Sequence, residues 1–172
     1  MPFVDVPDGE GSNLERAFAL RPEVYAAWRQ LVDAVKATSD ERRYELATLA
    51  AARRLRSSYC SLAHGKVLAE KFYDFDSVPM LPDGLEDVDR AIMALAEKVV
   101  ADATAVTAAD IGELRGFGLS DDEIFDVVLA ATIRCFFSKT LDALGVQPDA
   151  EFAQLDPAFR EALTVGRPIE SV

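Results

Sequence analysis

The stretch that decides the fold runs from Glu41 to Leu68: ERRYELATLAAARRLRSSYCSLAHGKVL. Leu46, Leu49, Ala50 and Arg53 recur at helical spacing, with Glu45 one turn before Leu49. The pattern breaks at Arg56-Ser57-Ser58. Serine is a favoured N-cap, so a second helix starts at Ser57 or Ser58 and runs to about Phe72. The segment reads as two helices joined by a tight turn. The second helix carries Cys60 in its first turn and His64 one turn later.

His64 is the only histidine in the chain. A thiol and an imidazole at i and i+4 lie on one helix face and can share a proton. Taken singly, a helical cysteine reads as a small buried hydrophobe and a lone histidine as a satisfied core or surface residue. Together they point to a nucleophile. A helix N-terminus, an imidazole one turn away and the upstream Arg42, Arg43, Arg53, Arg54 and Arg56 all favour a thiolate at Cys60. Glu45 lies far along the chain, and on one straight helix it would stand roughly 22 Å from Cys60. A turn at Arg56-Ser57-Ser58 would let the two helices pack side by side and bring Glu45 to His64. Spacing leaves open the alternative, a surface carboxylate paired with Arg42 or Arg43.

Outward from this segment the chain reads as helix almost throughout. Asn13 to Leu20 forms a short helix, and Pro22 opens the next, whose stripe is Val24, Ala27, Trp28, Leu31 and Val35. Thr38 caps the helix from about Ser39 to Arg54, with Glu41 three residues on. Asp74 to Asp83 is a loop, broken by Pro79 and Pro82. Leu85 to about Ala101 is amphipathic through Val88, Ile92, Leu95, Ala96 and Val99. Thr107 starts a short helix ending near Gly116. Ser120 and Glu123 form a capping box for a helix to Leu144, closed by Gly145, with Val127, Val128, Ala131, Phe136 and Leu144 as its core. A last helix spans Pro157 to Leu163. No window alternates as a strand would, so the fold class is all-α.

Composition bounds the function. The chain has 172 residues, half of them apolar, which suits one domain: a core of about 14–146 and a C-terminal helix and tail over 147–172. A net charge of −12 disfavours nucleic acid and anionic membrane surfaces. No apolar run reaches the roughly 20 residues of a membrane span, and the N-terminus does not read as a signal peptide. A cytoplasmic protein is expected. The two cysteines, Cys60 and Cys135, make no disulfide framework and no zinc site, so neither a metal nor a cofactor is expected. Cys135 lies in an apolar stretch and reads as core.

The stretch from Tyr44-Glu45-Leu46-Ala47 to Ser58-Tyr59-Cys60-Ser61-Leu62-Ala63-His64-Gly65 resembles the carboxymuconolactone decarboxylase and alkylhydroperoxidase D (AhpD) family. Gly118-Leu119-Ser120-Asp121-Asp122-Glu123-Ile124 with its long helix resembles the family's peroxidase-related branch. The resemblance covers roughly Leu14 to Val146. It implies an AhpD-like helical fold, with Cys60 as peroxide-reactive thiol and His64 and Glu45 as its proton relay. It also implies a trimer or hexamer and a small hydroperoxide as substrate. The family's first cysteine of its Cys-x-x-Cys motif falls at Ser57, which cannot resolve an oxidised Cys60. Turnover would then need an external thiol reductant, Cys135, or Cys60 of another subunit. Ser57 itself reads as an N-cap, with a hydrogen bond to the thiolate as its sharper role. Tyr59 reads as packing under the helix start, or as a hydroxyl that positions water or substrate.

Three functions compete: a thiol peroxidase acting at Cys60; a decarboxylase-type lyase in which His64 and Glu45 move protons and Cys60 is incidental; and a non-catalytic oligomeric binding protein. The first accounts for most of the residues.

Overall fold

The structure, a computed structural model, describes residues 2–7 and 9–171. Among the described residues eight α-helices follow in order: α1 Asn13–Phe18, α2 Pro22–Thr38, α3 Glu41–Arg54, α4 Ser58–Lys71, α5 Asp87–Asp102, α6 Ala108–Gly116, α7 Asp121–Ala143 and α8 Pro157–Leu163. No strand occurs among the described residues, so the chain is all-α. No helix among them is long and apolar enough to cross a membrane.

Helix α3 is the centre of the molecule. Every residue from Tyr44 to Ala52 is buried, and α3 packs against α4, α5 and α7. A helix buried on all sides over its central turns has to present small side chains, and its run of alanines lets three neighbours approach closely. On α5, Ile92, Leu95, Ala96 and Val99 are buried at the spacing the sequence gives.

The turn between α3 and α4 sets up the site. Leu55 caps α3, and the Ser57 and Arg56 amides donate to the carbonyls of Ala52 and Arg53 at 2.9 and 3.0 Å. This is a Schellman closure with Arg56 at the left-handed position, φ 58°, where glycine is usual. The C-terminal tail crosses this turn. The Gly166 amide donates to Ser58 Oγ at 2.8 Å, and a Cβ at Gly166 would collide with the Arg56 carbonyl. Behind α4, Gly65 leaves room for Leu163 and Phe159 of α8.

Several expectations are corrected. Thr38 is the last residue of α2 and its hydroxyl donates back to the Val35 carbonyl; Asp40 caps α3 instead, accepting from the Arg43 amide at 2.8 Å. Asp40 sits immediately before the first helical residue, where an N-cap belongs, and Thr38 is too early. The Asp74–Asp83 loop contains a single 3-10 turn, Val78–Met80. Phe136 is 47% exposed, and Val24, Ala27 and Leu31 are exposed with it. These residues line an open apolar groove between α2 and α7 instead of a core. Trp28 and Val35, one turn to either side, do pack inward.

Candidate active site

The side-by-side packing of α3 and α4 brings Glu45 and His64 together. His64 Nδ1 lies 2.5 Å from Glu45 Oε2. Glu45 is buried, and its second oxygen accepts from Lys36 Nζ of α2 at 3.2 Å. Arg42 and Arg43 pair with Asp89 and Glu123 instead, so the surface-pair alternative for Glu45 does not occur.

The charge states follow. Burial works to raise the Glu45 carboxyl, but the hydrogen bond and charge of His64, with Lys36, hold it below its ordinary value. Burial pushes His64 down, Arg134 pushes it further, and Glu45 only partly offsets them. At neutral pH the pair is a carboxylate and a neutral imidazole. We assign the proton to Nδ1, where it is donated to Glu45, and this leaves Nε2 as a free base. The edge of the Tyr44–His64 ring pair, with centroids 6.5 Å apart, fixes the imidazole plane.

Cys60 is the third residue of α4, one turn (about 6 Å of rise) before His64. It is 1% exposed. Its sulfur receives two hydrogen bonds from α7, from Ser138 Oγ at 3.1 Å and Arg134 Nη1 at 3.4 Å. The His64 side chain keeps 15% of its surface and is the part of the trio that meets solvent.

Arg134 and Ser138 are the site residues that the sequence reading missed. Arg134 is buried, with its guanidinium 5.4 Å from the Phe137 ring centroid. Phe137 stacks on Trp28 at 4.1 Å and on Phe18 at 5.3 Å, so an aromatic stack holds the arginine in place. A signal existed. Arg134 is the one basic residue between Arg115 and Lys139, and Ser138 follows it at i+4 on the same face.

The remaining candidates lie around this centre. Ser57 occupies the N-cap position, but its side chain accepts no bond from the helix amides. Its hydroxyl faces Asp142, whose carboxyl burial pushes up against the pull of Ser57 and Arg167. The donor role imagined for Ser57 belongs to Ser138. Tyr59 hydrogen-bonds Asp149 and packs edge-on against Phe152 at 6.0 Å. Asp149 also accepts from the Asn13 amide at 2.6 Å, which makes Tyr59 part of a latch between α1, α4 and the C-terminal region. Cys135 is half-buried, with burial pushing its thiol up, and both cysteines are free. It adjoins Arg134 on α7, so its side chain diverges from the one that reaches Cys60. Among the described residues no cluster of three or more acidic, histidine or cysteine side chains could hold a metal.

No family model matches the chain, and no curated protein matches it. Solved structures do. An uncharacterized peroxidase-related protein from Ralstonia eutropha JMP134, described as an alkylhydroperoxidase AhpD core, is 25% identical over 82% of this chain and 78% of its own, with a TM-score of 0.72. An uncharacterized peroxidase-related protein from Silicibacter sp. TM1040 is 18% identical over 89% and 94%, at 0.79. The debrominase Bmp8, solved as a cysteine-to-alanine variant with 2,3,4-tribromopyrrole, is 14% identical over 88% and 80%, at 0.68. The last two likenesses concern the fold.

Proposed function

We propose, on the premise that this chain belongs to the AhpD-like, peroxidase-related family, that it reduces small hydroperoxides at Cys60. The observation that carries the reading is the Glu45–His64 contact of 2.5 Å one helical turn from a cysteine that accepts two hydrogen bonds. A thiolate at Cys60 attacks the distal peroxide oxygen. The S–O bond forms, the O–O bond breaks, the proton of the attacked oxygen goes to the departing alkoxide, which leaves as the alcohol, and Cys60 becomes a sulfenate that takes up a proton from water as the sulfenic acid. His64, oriented by Glu45, handles the proton.

Ser57 supplies no resolving thiol, so regeneration is assigned to an external thiol. One equivalent condenses with the sulfenic acid, releasing water and leaving a mixed disulfide; a second displaces it and restores Cys60. With Cys60 1% exposed, a small thiol fits this role better than a protein dithiol.

Self-association is the second part of the reading. The exposed Val24, Leu31 and Phe136 form the apolar face that assembly as a trimer or hexamer would cover. Light scattering on wild type and on Leu31→Glu/Phe136→Glu tests it: the variant dissociates if this face is the interface, and keeps its mass if it is not.

Hydroperoxide consumption with dithiothreitol tests the chemistry. Wild type and Cys135→Ser consume cumene hydroperoxide; Cys60→Ser does not. Consumption retained by Cys60→Ser would overturn the assignment.

A further inference from the structure

A guanidinium taken out of water has to be compensated, because an isolated buried charge costs several kcal/mol or more. Arg134 is 3% exposed. Among the described residues no carboxylate forms an ion pair with it. Its polar neighbours are the Cys60 sulfur and the Tyr44 hydroxyl, and its Nε has no acceptor. The nearby carboxylate, Glu45, is already balanced by Lys36 and bonded to His64. Summed over the site, one positive charge at Arg134 is left over. The group touching it that ionises most readily is a thiol.

We propose that Arg134, and not His64, is the cation that holds Cys60 as a thiolate, and that His64 stays a neutral imidazole that shuttles the hydroperoxide's own proton. This rests on the peroxidase reading given above. The Cys60 sulfur attacks the distal oxygen as the O–O bond breaks. The proton of that oxygen passes to His64 Nε2 and on to the departing alkoxide, which leaves as the alcohol. Sulfur is oxidised from thiolate to sulfenate, and the peroxide is reduced. The negative charge stays beside Arg134 and the Ser138 hydroxyl throughout, so the buried site never changes its net charge. A protonated His64 would instead put a second cation beside Arg134, and the fall of His64 below its ordinary range opposes that.

The test separates the two roles. Cys60 alkylation by iodoacetamide at pH 6 is followed by mass in wild type, Arg134→Met and His64→Gln. The groups facing Arg134 are Cys60, Tyr44 and His64, so Tyr44→Phe serves as a further control. The result expected is at least a tenfold slower reaction in Arg134→Met and less than a twofold change in His64→Gln, whose oxidation by cumene hydroperoxide nevertheless slows at least tenfold. The reverse ranking in alkylation overturns the proposal. Melting temperatures give an independent reading. Cys60→Ser strands the guanidinium and melts below wild type, and adding Arg134→Met raises the melting temperature again. A further drop in the double variant overturns the proposal. Alkylation and melting are read without peroxide, so Arg134-dependent alkylation in a protein whose Cys60 resists hydroperoxide would sink the peroxidase reading and leave the ion pair standing.

Discussion

His64 Nδ1 and Glu45 Oε2 meet at 2.5 Å although 19 residues of chain separate them. The contact exists because the Schellman turn at Arg56 folds α4 back along α3, and the aligned pair leaves Nε2 free to act as base. Glu45→Gln keeps the shape but removes the charge that orients the ring. We expect peroxide consumption to fall on the order of 10²-fold, with Cys60 still open to alkylation. An equal loss in both assays would mean that Glu45 acts on the thiol itself.

Acid should weaken the fold in two steps. His64 has a folded value below its ordinary 6.5, so the unfolded chain binds its proton first. The stability this contributes is present above pH 6.5 and is lost as the pH falls through the folded value. Glu45 is also depressed, from 4.5, and its contribution is lost only below that. Urea midpoints between pH 7 and 5 should therefore fall in wild type, and fall less steeply in His64→Gln. Parallel slopes would contradict the neutral, buried assignment of His64.

Gly65 stands next to His64 because a side chain there would run into Leu163 and Phe159 of α8. Gly65→Ala gains helix propensity but overpacks the α4–α8 contact. A net loss of about 1–2 kcal/mol is expected by chemical denaturation. An increase in stability would show that α8 yields without cost.

Arg56 holds a positive φ of 58° without the freedom of glycine. Arg56→Gly should stabilise by about 0.5–1 kcal/mol, read as a shift in the denaturation midpoint. Destabilisation would assign more weight to the Arg56 side chain's bond to the Val165 carbonyl at 3.3 Å.

Tyr59 tests the boundary between scaffold and chemistry. Tyr59→Phe removes the hydroxyl from Asp149 and should cost about 1–2 kcal/mol of stability, with the alkylation rate of Cys60 unchanged. A slowed thiol in a fully folded variant would return Tyr59 to the site.

Much of this was legible in the sequence, for local reasons. The capping box of Ser120 with Glu123 is formed as its spacing predicts, and α6 starts directly after Thr107, where the sequence marks it. Gly145 at φ 77° closes α7, and Pro157–Leu163 is helical at the predicted bounds. The Cys60–His64 face follows from period alone. Other features were not local. Glu45 could be placed against His64 by resemblance but not by spacing, because its partner depends on the turn at Arg56. Arg134 and Ser138 were hidden because α7 reads as an apolar core helix, and an arginine within it is given meaning only by the buried sulfur that α4 brings opposite. The exposed α2 stripe and Phe136 show the opposite failure: helical period identifies an apolar face without saying whether this chain covers it.

The central claim is that Cys60 reacts with peroxide as a thiolate. The most direct measurement is the intact mass of the reduced protein after about one equivalent of cumene hydroperoxide, with dimedone present to trap a sulfenic acid and peptide mapping to place it. One dimedone adduct on Cys60, absent from Cys60→Ser and slowed in Arg134→Met, is the predicted result. An unmodified Cys60, or an adduct on Cys135 alone, would contradict it.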